Sequence, residues 1–346
     1  MDLLTLFLVA VVLLAMGFTL TNGLHDASSV VATFISCGAA TPVQAIMLAA
    51  TFELLGAVFS GNAVANTIAS IGDLPADVGM LPVILAALLG AVAWNIVTWR
   101  FGLPSSSTHA LVGGLIGAIW ASYGASHILW GWSELVAPSH HLAGFLKVVV
   151  SLFFSPVFGF IAGYWLQRTG LVLFRNSRFS DVNRGLKRGQ WLMAALLAFS
   201  HGGNDTQKTA GIVAAVLVAT HMIQGNGLPL WVRLSVGLLM SVGMLFGGWS
   251  IMRTIGRGIY AVRPLHSLGS QMAAGGSVAI ATLLGAPVST THVVVGSIAG
   301  VGAAEEYRMV NWHMGREILM AWLITIPAAG IVAALLYFIL RTFVGG

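Results

Sequence analysis

Charge is what this sequence has least of. Its 346 residues carry 16 basic and 11 acidic side chains, 8% of the chain, where an ordinary soluble domain has about a quarter. So little charge cannot cover the surface of a soluble protein of this length. That excludes a soluble globular enzyme, a disordered chain and a nucleic-acid-binding protein. The single cysteine, Cys37, excludes an intrachain disulfide and reads as a small packing residue. No basic residue precedes the first apolar stretch, Leu3 to Leu20, and no small-residue cleavage site follows it. It therefore reads as a retained transmembrane helix rather than a signal peptide.

What is present points one way. Hydrophobic residues make up 57%, the mean hydropathy is +0.90 and glycine occurs 42 times. This is the composition of a polytopic α-helical membrane protein, with glycine serving close helix packing and broken helices. The net charge of +5 is topological. Six of the 16 basic residues lie between Arg168 and Arg188, and the positive-inside rule puts that segment on the cytoplasmic side.

A bilayer core of about 30 Å takes about 20 apolar residues per helix. Stretches that qualify include Ala27 to Phe52, Leu54 to Gly72, Leu81 to Trp99, Val148 to Leu166, Leu234 to Met252 and Ile318 to Leu340. Two others, Phe101 to Ser133 and Pro264 to Ala304, are interrupted by glycine and proline. They read as a full span joined to a re-entrant or broken element, which survives at membrane depth only against protein or a wet cavity. The polar connector 167–190 reads as a solvated cytoplasmic loop, or one carrying a helix along the headgroups, between a first transmembrane unit, 1–166, and a second, 191–346.

The two halves repeat each other. Residues 102–118, GLPSSSTHALVGGLIGA, align without gaps on 285–301, GAPVSTTHVVVGSIAGV, at an offset of 183. Pro104 meets Pro287, His109 meets His292, Gly113 meets Gly296 and Gly117 meets Gly300. Upstream, NGLHD at 22–26 matches HGGND at 201–205, with Asp26 on Asp205 at an offset of 179. Two motifs in the same order at nearly the same offset indicate a duplicated, transporter-like architecture.

Each motif has a chemistry. A proline followed by hydroxyl residues suits the first turn of a helix, where free N–H groups and the dipole favour an anion. Ser105, Ser106, Ser107 and Thr108 in one half, and Ser289, Thr290 and Thr291 in the other, can together cradle an oxyanion. Serving only as caps or interhelical glue is the bland alternative for them. Asp26 and Asp205 follow glycine-containing turns. A carboxylate repels an oxyanion, so they are expected to hold a coupling cation such as sodium, or to carry a proton. Thr21, Asn22, Asn204 and Gln207 can complete the oxygen shell; a structural N-cap is the alternative. Glu53 and Lys208 are the other charges inside apolar segments, Lys208 as an anion contact or as the partner of Asp205 or Glu53. His25, His109, His201 and His292 read as hydrogen-bonding supports. No ligand spacing suggests zinc, and no acid accompanies serine and histidine in a hydrolase-like triad.

With NGLHD, HGGNDTQK, GLPSSSTH and GAPVSTTH, and with TPVQAIMLAATFELLGA and VNWHMGREILMAWLITIPAA, the chain resembles the inorganic phosphate transporter family of the Pit type. The resemblance runs from about Thr21 to Leu340. It implies an all-α polytopic membrane protein with two inverted-topology repeats, about ten to twelve transmembrane segments and two re-entrant or broken hairpins. It implies uptake of phosphate with Na⁺ or H⁺. The hydroxyl runs then match the anion-binding positions, joined by Gln207 and Lys208. Asp26, Asp205, Asn22, Asn204 and Glu53 match the region of the coupling ion. Three positions depart from the family pattern. His25 and Ser29 stand where many members have asparagine, and Gln271 where some have glutamate.

The expected function is therefore an inner-membrane symporter for inorganic phosphate working by alternating access, not an enzyme. It needs no cofactor beyond the coupling ion, and its partners are the anion, the ion and the bilayer. A homo-oligomer is left open. Sulfate is the alternative substrate, a passive anion channel the alternative class, and an intramembrane enzyme a poorer third.

Overall fold

The computed structural model describes residues 3–75, 79–101, 103, 105–138, 140–176, 179–223, 227–247 and 259–344. Gly102 and Pro104 of the first hydroxyl motif lie outside the described residues, as does the end of the expected span Leu234 to Met252. The described residues are almost entirely helical: α1 (Leu3–Ser36), α2 (Pro42–Phe59), α3 (Ala63–Ala69), α4 (Met80–Arg100), α5 (Ser107–Tyr123), α6 (Trp132–Val136), α7 (Gly144–Leu173), α8 (Phe179–Ala219), α9 (Leu230–Phe246), α10 (Pro264–Leu283), α11 (Thr290–Glu306) and α12 (Trp312–Val344). Within α1, α2, α4, α7 and α12 are segments long and apolar enough to cross a membrane.

Several expected spans are cut differently. The stretch Ala27 to Phe52 is two helices. Gly38 takes a left-handed φ of +70° after α1, and its amide closes onto Ile35 O. Thr41 then caps α2 through a box with Gln44, with Pro42 in the first turn. The stretch Leu54 to Gly72 is also divided, at residues 60–62. There Arg233 of α9 donates through Nη1 to Val58 O and Ser60 O, and through Nη2 to Asn62 Oδ1. A cation 173 and 175 residues away thus satisfies the carbonyls freed at the end of α2, which a charge-free count cannot foresee.

The connector departs further from expectation. α7 continues to Leu173 and α8 begins at Phe179, so most of 167–190 belongs to these two long helices rather than to a loop or a separate helix. Gln167 and Gln190 are buried, the first donating to Glu305 and the second to Pro264 O while accepting from Cys37 Sγ. The motifs NGLHD and HGGND lie within α1 and α8. Asp26 and Asp205 are therefore mid-helix, and the N-cap reading is overturned.

The repeat governs the packing. α5 packs on α12 and α11 on α7; α1 packs on α9 and α8 on α2. Aligned glycines make aligned close approaches. A Cβ on Gly117 would lie 2.1 Å from Gly330 O, and one on Gly300 would lie 2.1 Å from Phe160 O. Overpacking of this kind costs about 1–3 kcal/mol. Gly117→Ala and Gly300→Ala are expected to lower the thermal midpoint of the purified protein, whereas Gly276→Ala, with open space around it, leaves it unchanged.

Two apolar clusters sandwich a polar layer. One contains Val11 to Phe18 of α1, Ala110 to Ile119 of α5 and Ala210 to Ala219 of α8. The other contains Ala27 to Phe34 of α1, Ala194 to Ala198 of α8 and Val293 to Ile298 of α11. α1 and α8 thus traverse the two clusters in opposite order. α5 and α11 start in the layer between them and run outward to opposite sides.

Candidate functional site

Four helices supply the polar layer: the middles of α1 and α8, and the first turns of α5 and α11. The hydroxyl residues Ser105, Ser106, Ser107, Thr108, Ser289, Thr290 and Thr291 are all buried. Ser106 caps α5 by accepting from His109 N at 3.2 Å. The two first turns touch, because Thr108 Oγ1 donates to Val288 O at 3.2 Å and the His109 and His292 rings are 4.7 Å apart. His292 in turn stacks on Trp322 at 3.5 Å.

Asp26 ties both ends together. Its Oδ2 accepts from Ser107 Oγ and its Oδ1 from Thr291 Oγ1, each at 3.0 Å. His25 Nδ1 lies 3.3 Å from Oδ1, while His25 Nε2 is 3.5 Å from the hydroxyls of Thr98 and Ser105. Hydroxyls expected to face an anion are thus engaged by a carboxylate in this conformation. The hydroxyl of Thr290 has no partner among the described residues.

Asp205 faces the other way. Its Oδ2 accepts from Asn22 Nδ2 at 3.2 Å and its Oδ1 from Lys208 Nζ at 2.8 Å. Lys208, buried among the helices, also donates to Thr108 Oγ1 at 2.5 Å and to Val288 O at 2.7 Å. Of the two partners weighed for Lys208, the structure joins it to Asp205.

Two predicted residues serve the backbone. Asn204 accepts from Val288 N and donates to Ala286 O and Thr282 Oγ1, which braces the unwound link between α10 and α11. Gln207 accepts from the amides of Val64 and Ala65 and donates to Gly203 O, which holds the start of α3.

His201 is the residue that sequence reasoning undervalued. It pairs through Nδ1 with Glu53 of α2, and its Nε2 is 3.8 Å from both Asp26 Oδ2 and Asp205 Oδ2. It therefore links three carboxylates. The available signal was its place four residues before Asp205, on one face of a helix. Ligand atoms of Asp26, His201 and Asp205 all lie within 4.8 Å of one another. Space assembles a cluster with the geometry to hold a cation, which linear spacing did not show. Asn22 Oδ1, buried and without a partner among the described residues, adds a free oxygen.

Of the residues that depart from the family pattern, Ser29 bonds to Asp26 O at 2.8 Å. The amide of Gln271 is buried without a partner among the described residues.

Comparison with known proteins is consistent across the chain. The sequence pattern of the phosphate transporter family matches it twice, over residues 22–178 and 172–333. A probable low-affinity inorganic phosphate transporter of Bacillus subtilis (strain 168) is 35% identical over 99% of both chains. One of the same description from Rhizobium meliloti (strain 1021) is 38% identical over 96% of both. A solved structure described as the sodium-dependent phosphate transporter superposes with a TM-score of 0.78 at 26% identity, covering 97% of this chain and 99% of that one.

Proposed function

Because the chain belongs to the phosphate transporter family, we propose that it imports inorganic phosphate across the cell membrane by cation symport. The observation that carries this reading is the pair of first turns of α5 and α11, which meet in a buried polar layer beside Asp26 and Asp205. Helix N-termini favour anions, and the serine and threonine hydroxyls of both turns supply donors to phosphate oxygens. Asp26 and the free Oδ1 of Asn22 supply oxygens for the coupling cation.

The two halves are inverted repeats, a reading supported by the opposite order in which α1 and α8 cross the two apolar clusters. α5 and α11 act as the half-helices of the two re-entrant hairpins. Alternating access follows from rocking one half against the other around this layer. Asp26 holds Ser107 and Thr291 from opposite halves, so it latches the two turns together. An arriving phosphate competes for the same hydroxyls, and a cation beside Asp26 releases them to it. Anion and cation then bind together.

The test is radiolabelled phosphate uptake into proteoliposomes under imposed Na⁺ or H⁺ gradients. The expected result is accumulation above equilibrium that collapses when the driving gradient is dissipated, with little competition from sulfate. Uptake indifferent to both gradients would establish a passive channel and overturn the symport reading. Equal competition by sulfate would overturn the substrate.

A further inference from the structure

The repeat allows each half of the site to be compared with the other, and the comparison is unequal at one position. By the offsets of 179 and 183, Ser29, Thr291 and Ser105 take the places relative to Asp26 that Lys208, Thr108 and Val288 take relative to Asp205. Around Asp26, Thr291 Oγ1 donates straight to the carboxylate at 3.0 Å. Around Asp205, the Lys208 ammonium stands between the equivalent groups. It meets the carboxylate at 2.8 Å, the Thr108 hydroxyl at 2.5 Å and the Val288 carbonyl at 2.7 Å.

These three oxygens are of the kinds that hold a hard monovalent cation in a transporter. A mid-helix carboxylate, a hydroxyl from a half-helix and a carbonyl from an unwound link form a cage suited to sodium. Lysine has three N–H donors and no acceptor, so the cage consumes all of them. A buried ammonium with every proton engaged on oxygen is held as a bound ion would be. It differs from a bound ion in its tether: α8 carries it, and it cannot leave with the substrate.

We propose that Lys208 is a resident cation standing in the second half's cation cage, in place of a transported sodium ion. Coupling in this chain is thereby left to the Asp26 side. The cage neutralises Asp205 in every state of the cycle, and one fewer cation crosses with each phosphate than a fully symmetric pair of sites would allow. The consequence for coupling rests on the transport reading; the cage itself does not.

The test reads cation binding without transport. Wild type, Lys208→Ala and Lys208→Met are purified in detergent, and thermal midpoints are compared in NaCl and in choline chloride at equal ionic strength. Lys208→Ala empties the cage, and its midpoint is expected to rise with Na⁺ well beyond any rise in wild type. Methylammonium is expected to give the same rescue. Lys208→Met fills the space with an apolar chain, and its response is expected to match wild type or fall below it. If Lys208→Ala is too unstable to purify in choline, recovery of monodisperse protein in Na⁺ alone gives the same reading. A Lys208→Ala variant that responds to Na⁺ no more than wild type, or fails to fold in both salts while Lys208→Met folds, overturns the proposal.

Discussion

Asp26→Asn is expected to lower the initial rate of gradient-driven phosphate uptake by about a hundredfold, while the protein remains monodisperse. The size follows from the charge. Asp26 accepts a hydrogen bond from each hydroxyl motif, Ser107 on Oδ2 and Thr291 on Oδ1. In the proposed mechanism those bonds open when phosphate takes the hydroxyls, and the carboxylate then holds the coupling cation. An amide of the same shape removes that charge. Losing about 2.7 kcal/mol of cation attraction is about a hundredfold in rate. Asp205→Asn is expected to have the smaller effect on Na⁺ dependence, because Lys208 already occupies that carboxylate. Proteoliposome uptake measured against the Na⁺ and H⁺ gradients separates the two variants. Full gradient-driven uptake by Asp26→Asn would remove the residue from the mechanism.

Glu53→Gln and Glu53→Met are expected to cut uptake by tenfold or more, about 1.4 kcal/mol at the least, without loss of folded protein. Glu53 is buried on α2 and pairs with His201, the histidine that faces both aspartates. Without the carboxylate, the ring loses the partner that sets its orientation between Asp26 and Asp205. The folding half of the expectation comes from the repeat. At Gly202 a Cβ would meet Glu53 O at 2.3 Å, and at the aligned Gly23 it would meet Met240 O at 2.2 Å. Glu53 and Met240 therefore occupy equivalent places on α2 and α9, and the fold accepts methionine there. Purification yield reads stability and uptake reads function. Normal uptake by both variants would reduce Glu53 to a packing residue.

The motifs were legible because they were duplicated. Proline and hydroxyls at 104–108 and 287–291 announced two helix starts, and α5 and α11 begin at Ser107 and Thr290. Their pairing across the polar layer was not legible, since nothing local to either motif encodes Thr108 donating to Val288 O. Asp26 and Asp205 were visible as charges in apolar segments, yet they read as following turns. Glycine beside them suggested a break, whereas in the structure Gly23 and Gly202 serve backbone approaches of α9 and α2. His201 was passed over because its importance lies in Glu53, 148 positions away.

By itself, the sequence determined the membrane, the duplication and the position of the hydroxyl motifs. Each rests on a quantity that survives without coordinates: too little charge for a wet surface, and a pattern that recurs at a constant offset. Only the tertiary structure decided how the two copies differ. Arg233 ends α2 by capping carbonyls on another helix, Lys208 fills an oxygen cage built from three segments, and His201 bridges carboxylates from α1, α2 and α8. Burial makes those polar groups seek partners wherever the packing puts them, and packing brings together residues that the order of the chain keeps apart.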